Sequence, residues 1–316
     1  MVRASRYAVA DMAWFLVRRL VANAIVVVGV AFIVFVLVFL TSDPVRALLP
    51  LDAPPSAVES LRLNLGFDQP IPVQFLGFLG RALHGDFGTS TRTLEPALGM
   101  VLARLPATLS LGAAGLLVSL LISVPLAIAA AARPGSWIDV TARLVAIAGQ
   151  AVPGFVLGQV LILIFGVTLR ILPVSGSGGI SYMVLPAIVI GLGSAAGLTR
   201  ILRSSLLDVL AADYIRTARA KGVGPSRVML RHALRNAAIP FVTFLAFDLA
   251  AIVSGVIVVE VIFSYPGMGL LVVQAVTNRD VPVIQAFTFV AAVTIVTVNL
   301  GLDLVYGVLD PRIRLG

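Results

Sequence analysis

The chain has 316 residues, 59% of them hydrophobic and 12% charged, with a mean hydropathy of +1.06. A soluble domain carries roughly 25% charged residues, so this chain has no water-compatible cover. Soluble and disordered classes are both excluded, and an integral membrane protein remains.

Formal net charge is +8, carried by 22 arginines and the single lysine Lys221. In so apolar a chain this marks basic loops facing anionic lipid, not nucleic-acid binding. The absence of cysteine excludes disulfides, thiolate nucleophiles and thiolate metal sites. The two histidines, His84 and His232, are far apart and form no metal-binding pattern. Lys221 is flanked by Ala220 and Gly222, so the chain has no Walker A motif. It has no GxSxG nucleophile elbow either.

A spanning helix needs about 20 mostly apolar residues. Residues 1–20 form a basic N-terminal segment, and the first predicted transmembrane helix covers 21–40. No small-residue cleavage site ends that run, and Thr41-Ser42-Asp43-Pro44 reads as a helix stop, so it is expected to be a retained anchor. A long loop at 41–107 follows, with the Pro-rich patches Asp52-Ala53-Pro54-Pro55 and Gln69-Pro70-Ile71-Pro72 and six acids against five arginines. His84 lies there beside Asp86, where a structural hydrogen bond is expected before a metal ligand. Further spans are predicted at 108–131, 143–168, 184–202, 240–263 and 284–307. The third contains Pro153, a possible kink, and the Gly154–Gly158 GxxxG pattern, which suits close helix packing.

Six spans place both termini on one side of the membrane. With Arg143 and Arg200 at its margins, that side holds 16 basic residues against 7 on the other, and five of those seven lie in the long 41–107 loop. The positive-inside rule puts both termini in the cytoplasm and 41–107 outside. Residues 108–316 then form a five-helix core interrupted by one long basic cytoplasmic loop, 203–239.

Within that loop, Asp213-Tyr214-Ile215-Arg216-Thr217-Ala218-Arg219-Ala220-Lys221-Gly222 reads as a short helix. Asp213 is expected to cap its start, and Gly222 to supply the left-handed residue past its end. The turn Gly224-Pro225-Ser226 leads to a second helix over about 226–238. There Arg227, Arg231 and Arg235 recur every four residues as one positive stripe. Like charges at that spacing repel, so the stripe calls for an anionic neighbour: lipid headgroups or carboxylates of a docked protein. Ala218 and Ala220 leave room for another backbone to approach.

The spans contain few acids. Asp248 sits eight residues into the fifth span from Pro240, where an acid costs about 2.5–3.5 kcal/mol on insertion scales. It must face a cavity or a partner. It either lines a pathway and favours cationic groups, or makes an interhelical hydrogen bond. Glu260, near the outer end of that span, is read as satisfying amides of the following turn, with a gating or binding-protein contact as the alternative. Asp303 is read as structural, paired with Arg312 or Arg314.

The loop resembles the coupling loop of permease subunits in binding-protein-dependent ABC importers. Arg216-Thr217-Ala218-Arg219-Ala220-Lys221-Gly222, followed by Arg231-His232-Ala233-Leu234-Arg235-Asn236, is similar to the dipeptide/oligopeptide/nickel permease family. The likeness extends along the chain. It includes Phe15-Leu16-Val17-Arg18-Arg19-Leu20, Leu65-Gly66-Phe67-Asp68-Gln69-Pro70 and Gly85-Asp86-Phe87-Gly88-Thr89-Ser90. It continues through Arg104-Leu105-Pro106-Ala107-Thr108, Leu172-Pro173-Val174-Ser175-Gly176, Val259 to Gly269 and Asp310-Pro311-Arg312-Ile313-Arg314. It points to the subunit type with the long outer loop. The generic coupling motif opens Glu-Ala-Ala where this chain has Arg216-Thr217-Ala218, and has proline where this chain has Arg235. Thr41-Ser42 stands where the family usually has Pro-Gly.

The resemblance implies an all-α membrane protein with the type I ABC importer fold, in the inner membrane. It implies a second homologous permease, two cytoplasmic ATPases or one fused pair, and an extracytoplasmic substrate-binding protein. ATP and magnesium would sit in the ATPases, and this chain would bind no cofactor of its own. Asp213, Tyr214, Arg216, Thr217, Ala218, Arg219, Ala220, Lys221 and Gly222 would form the ATPase-coupling element. The cargo would be di- or oligopeptides, with nickel or another metal chelate, glutathione or a small sugar as alternatives. An ion-coupled secondary transporter would instead need acids in several spans and inverted repeats with broken helices. Only Asp248 is deep in a span and no repeat is evident. A membrane enzyme would need clustered catalytic groups at one depth, and the sequence offers none.

Overall fold

A computed structural model describes the backbone of residues 2–41, 49, 54–64 and 66–309. Every regular element among them is a helix. Lipid offers no hydrogen bonds, so a spanning backbone must satisfy its own N–H and C=O groups.

In chain order, α1 (Val2–Thr41) is followed by α2 (Pro55–Asn64), α3 (Ile71–Leu83) and α4 (Ala97–Ala132). Next come α5 (Trp137–Ala151) and α6 (Gly154–Leu161), the latter running on into a π-helical turn at Ile162–Thr168. Then come α7 (Ile180–Leu210) and α8 (Asp213–Ala220). The single turn α9 (Pro225–Arg227), a π-helical stretch at Val228–Ala233 and α10 (Leu234–Ile262) follow without a break. The last two are α11 (Met268–Thr277) and α12 (Val281–Leu309).

The six expected spans fall on α1, α4, the α5–α6 pair, α7, α10 and α12. Among the described residues, four helices are long and apolar enough to cross a membrane: Val17–Leu37 of α1, all of α4, all of α7, and Val281–Gly301 of α12. The α5–α6 pair makes a fifth, bent by 101°. The bend falls at Pro153, which has no N–H to donate and takes the extended ψ of 137°. The expected third span is therefore broken. The expected 41–107 loop carries α2, α3 and the start of α4.

Contacts divide the chain into two compact units. One comprises the residues up to Pro106 together with Gly267–Leu300. Its core is aromatic: Phe35, Phe75, Phe78 and Phe87 are all buried, with Phe35 edge-on to Phe75 at 5.6 Å between ring centroids. Buried Asp280 accepts hydrogen bonds from the Ser90 hydroxyl at 2.5 Å and the Thr91 amide at 3.2 Å.

The other unit runs from Ala107 to Pro266. α7 is its centre, with α5 and α10 packed on it. Small residues let the helices close. A β-carbon on Gly115 would lie 2.4 Å from Ile190, and one on Gly191 would lie 2.5 Å from Val118. α4 and α7 therefore cross nearly backbone to backbone, as small-residue membrane interfaces do. Gly158 of the GxxxG pattern is buried against Ile262 and Phe263. Glu260 is fully buried and its Oε1 accepts a hydrogen bond from the Thr108 hydroxyl at 2.6 Å. It thereby joins α10 to α4. The side chain of Asp303 lies outside the described residues.

Candidate coupling segment and buried acids

The segment between α7 and α10 is built as a stiff, exposed knuckle. α7 ends at Leu210 and Ala212 turns extended, with ψ 148°, to start α8. Ala212 is therefore the N-cap, and it makes no side-chain cap bond. This corrects the expected role of Asp213, which is the first helical residue. Its carboxylate there complements the helix dipole and sits 3.4 Å from Arg216.

α8 has one buried side chain, Ile215, which is 0% exposed. Its position among polar neighbours was visible in the sequence, although the predicted coupling set omits it. Asp213, Tyr214, Arg216, Thr217, Arg219, Ala220, Lys221 and Gly222 are all exposed, and Ala218 is half-buried. Burying a single large aliphatic residue is worth about 1.5–3 kcal/mol, enough to fix the helix on its base while leaving the opposite face free.

The C-terminus of α8 closes as a Schellman motif. The Val223 amide donates to the Ala218 carbonyl at 3.1 Å, and the Gly222 amide to the Arg219 carbonyl at 2.9 Å. Gly222 takes φ +79°, the left-handed conformation expected of it. A second tie is Asn236, whose Nδ2 donates to the Tyr214 hydroxyl at 2.9 Å and to the His232 carbonyl at 2.9 Å. Sequence reasoning gave Asn236 no such role, because a polar residue on a basic helix carries no mark of its partner.

The second helix of the loop does not stop near 238. It passes through the π-helical stretch directly into α10, so this segment is continuous with a long helix. π-helical turns recur at functional sites. Arg227, Arg231 and Arg235 are exposed and form no ion pair among the described residues. With Arg216, Arg219 and Lys221 they make the surface strongly positive, with Asp213 as its one acid.

At the base of α7 the charges are closed instead. Asp139 of α5 is 1% exposed and takes a two-bond fork from Arg203 of α7, at 2.5 and 2.8 Å. The Gly135 amide adds a bond at 2.9 Å, and Arg143 stands 3.6 Å away. Deeper in the unit, Asp248 of α10 is half-buried and lies beside Ser194 of α7. Its Oδ2 is buried without a partner among the described residues.

No cluster of three potential metal ligands occurs among the described residues. The His84 ring pairs through Nδ1 with the Gly80 carbonyl at 2.9 Å, the structural use expected of it.

Two family models match the chain. One, "Binding-protein-dependent transport system inner membrane component", covers residues 123–315. The other, its N-terminal membrane component, covers residues 12–112. Among curated proteins the chain is 37% identical to the oligopeptide transport system permease AppB of Bacillus subtilis, over 96% of this chain and 100% of that one. It is 36% identical to a probable peptide ABC transporter permease of Sinorhizobium fredii, with the same coverage. It is 37% identical to the glutathione transport system permease GsiC of Salmonella typhi, over 95% and 98%. A solved structure of the MetNI methionine ABC transporter in inward-facing conformations shares the fold, with a TM-score of 0.57 and 16% identity over 67% of this chain and 96% of that one. The chain therefore belongs to the inner membrane components of binding-protein-dependent transport systems, the ABC importer permeases, a family that works with ATPase and binding-protein partners.

Proposed function

We propose that this chain is the translocation-pathway subunit of an ATP-driven importer of di- and oligopeptides, and that α8 is its coupling helix. The geometry of α8 carries the coupling reading. It is a short exposed helix on one apolar anchor, closed by a Schellman turn and fused through a π-helical stretch to α10. Asp213, Tyr214, Arg216, Thr217, Arg219, Lys221 and Gly222 would meet an ATPase, and Ala218 and Ala220 would admit its backbone. ATP-driven closure of two ATPases would move α8 with Ile215. The motion would pass to α7 and α10 and switch the cavity between outward- and inward-facing states.

In this reading both termini lie in the cytoplasm, and a second homologous permease completes the pathway. An extracytoplasmic binding protein delivers the cargo, and lipid surrounds the complex. ATP and magnesium belong to the ATPases, and this chain is no enzyme. The peptide assignment is supported by the full-length relatives named for peptide, oligopeptide and glutathione transport. Glutathione, itself a tripeptide, is the second reading they favour. Asp248 would line the pathway, its carboxylate exposed by the switch between states and favouring cationic groups of the passing peptide.

The test is uptake by cells expressing the whole transporter, with labelled dipeptides, oligopeptides, glutathione and a nickel chelate offered in parallel. Peptide uptake above the chelate is the expected result. Uptake of the chelate alone would overturn the substrate assignment. Asp248→Asn should lower uptake of cationic peptides several-fold more than that of neutral ones. An equal effect on both would remove Asp248 from the pathway.

A further inference from the structure

α5 and the C-terminal half of α7 leave a cleft of about 280 Å³ between them. Buried Ala146 and Ala196 form its floor, exposed Ile147 lines its edge, and Arg143, Arg200 and Arg203 stand around it. Asp139 is the one acid paired there, and Arg203 takes it in a two-bond fork. Arg143 reaches the same carboxylate only at 3.6 Å and its side chain is 54% exposed. Arg200 is exposed and makes no hydrogen bond or ion pair among the described residues. Three guanidinium groups against one carboxylate leave a surplus of two positive charges at the mouth of an apolar slot.

The depth of the cleft selects what fills it. Arg143 and Arg200 stand at the margins of the expected third and fourth spans, which in the orientation proposed above is the headgroup level of the cytoplasmic leaflet. Beside the cleft, α5 shows an exposed stripe of Trp137, Val140, Leu144 and Ile147. The aromatic residue is at the interfacial end and the aliphatic residues run inward, the order found on lipid-facing helices. Guanidinium groups bind phosphate in forked geometry, and basic pockets between spanning helices on the cytoplasmic side suit anionic headgroups.

We infer that this cleft binds an anionic phospholipid of the cytoplasmic leaflet, its phosphate bridging Arg143 and Arg200 and an acyl chain lying over Ala146, Ile147 and Ala196. The lipid would splint α5 to α7, the helix that leads into α8. The inference rests on the orientation proposed above but not on the cargo.

The test is native mass spectrometry of the assembled transporter titrated with phosphatidylglycerol, phosphatidylcholine or soluble glycerol phosphate. The wild type should retain phosphatidylglycerol over phosphatidylcholine. Each arginine near the surface contributes about five-fold, so Arg143→Gln with Arg200→Gln should weaken phosphatidylglycerol retention about 25-fold. Lysine at both positions should retain most of it. Equal retention of the two lipids by the wild type would overturn the inference without any variant. So would unchanged retention in the double glutamine variant. Displacement of bound lipid by glycerol phosphate at equal concentration would assign the site to free anions instead. None of these readouts depends on uptake, so their failure leaves the transport reading standing.

Discussion

In α8, Arg216 faces Asp213 at 3.4 Å with side chains 78% and 93% exposed. At the joint of α5 and α7, Arg203 holds Asp139 at 2.5 Å with the carboxylate 1% exposed. The residue types are the same and the consequences differ. A solvent-exposed pair is worth about 0–1 kcal/mol, so the α8 pair leaves its charges available to another molecule. A buried fork has surrendered its water, and breaking it strands a charge. The joint ties two helices together, while the charges of α8 stay exposed.

Three substitutions sharpen that contrast. Asp139→Ala should have the largest effect, about 3–5 kcal/mol, because it leaves the partly buried Arg203 without its counter-charge. Thermal unfolding of the purified complex in detergent would read it, and a loss near zero would mean that the joint is not structural. Gly222→Val should come next. The added side chain meets open space, but the residue must hold φ +79°, a cost of about 1–2 kcal/mol for a residue with a β-carbon. Its expected signature is transport reduced while membrane insertion and global melting hold. A uniform fall in melting temperature would place Gly222 in the structural class. Asp213→Ala should be smallest, within about 0.5 kcal/mol, since its pair is exposed and Ala212, not Asp213, is the cap. A loss above 1 kcal/mol in the same melt would contradict that assignment.

What could be read in the sequence follows from what is local. The apolar runs announced the long helices, and Gly222 announced the left-handed end of α8 because only the residues beside it matter there. Pro153 marked the bend between α5 and α6, though not its size, which depends on what both halves pack against. The Asp139–Arg203 fork was invisible because its partners are 64 residues apart and each looked like an ordinary loop-margin charge. Glu260 pairs with Thr108 across 152 residues for the same reason. The smooth passage from α9 into α10 was missed because Gly224-Pro225-Ser226 and the basic stripe read as a separate helix, and a π-helical stretch has no sequence signature. In the segment 41–107, prolines that read as patches of an extended loop sit at the starts of helices: Pro55 is the first residue of α2, and Pro70 precedes α3. Helix starts tolerate proline because the missing N–H has no partner there anyway.

In the proposed function, α8 transmits ATPase motion. The most direct measurement uses the complete transporter in proteoliposomes, with residues 216–222 replaced by a Gly/Ser linker of equal length. ATP hydrolysis and peptide entry are followed together, with and without the binding protein. The account predicts that the complex still inserts, that the binding protein no longer stimulates hydrolysis, and that ATP-dependent uptake falls to background. Uptake that continues at the wild-type rate with the linker in place would contradict it.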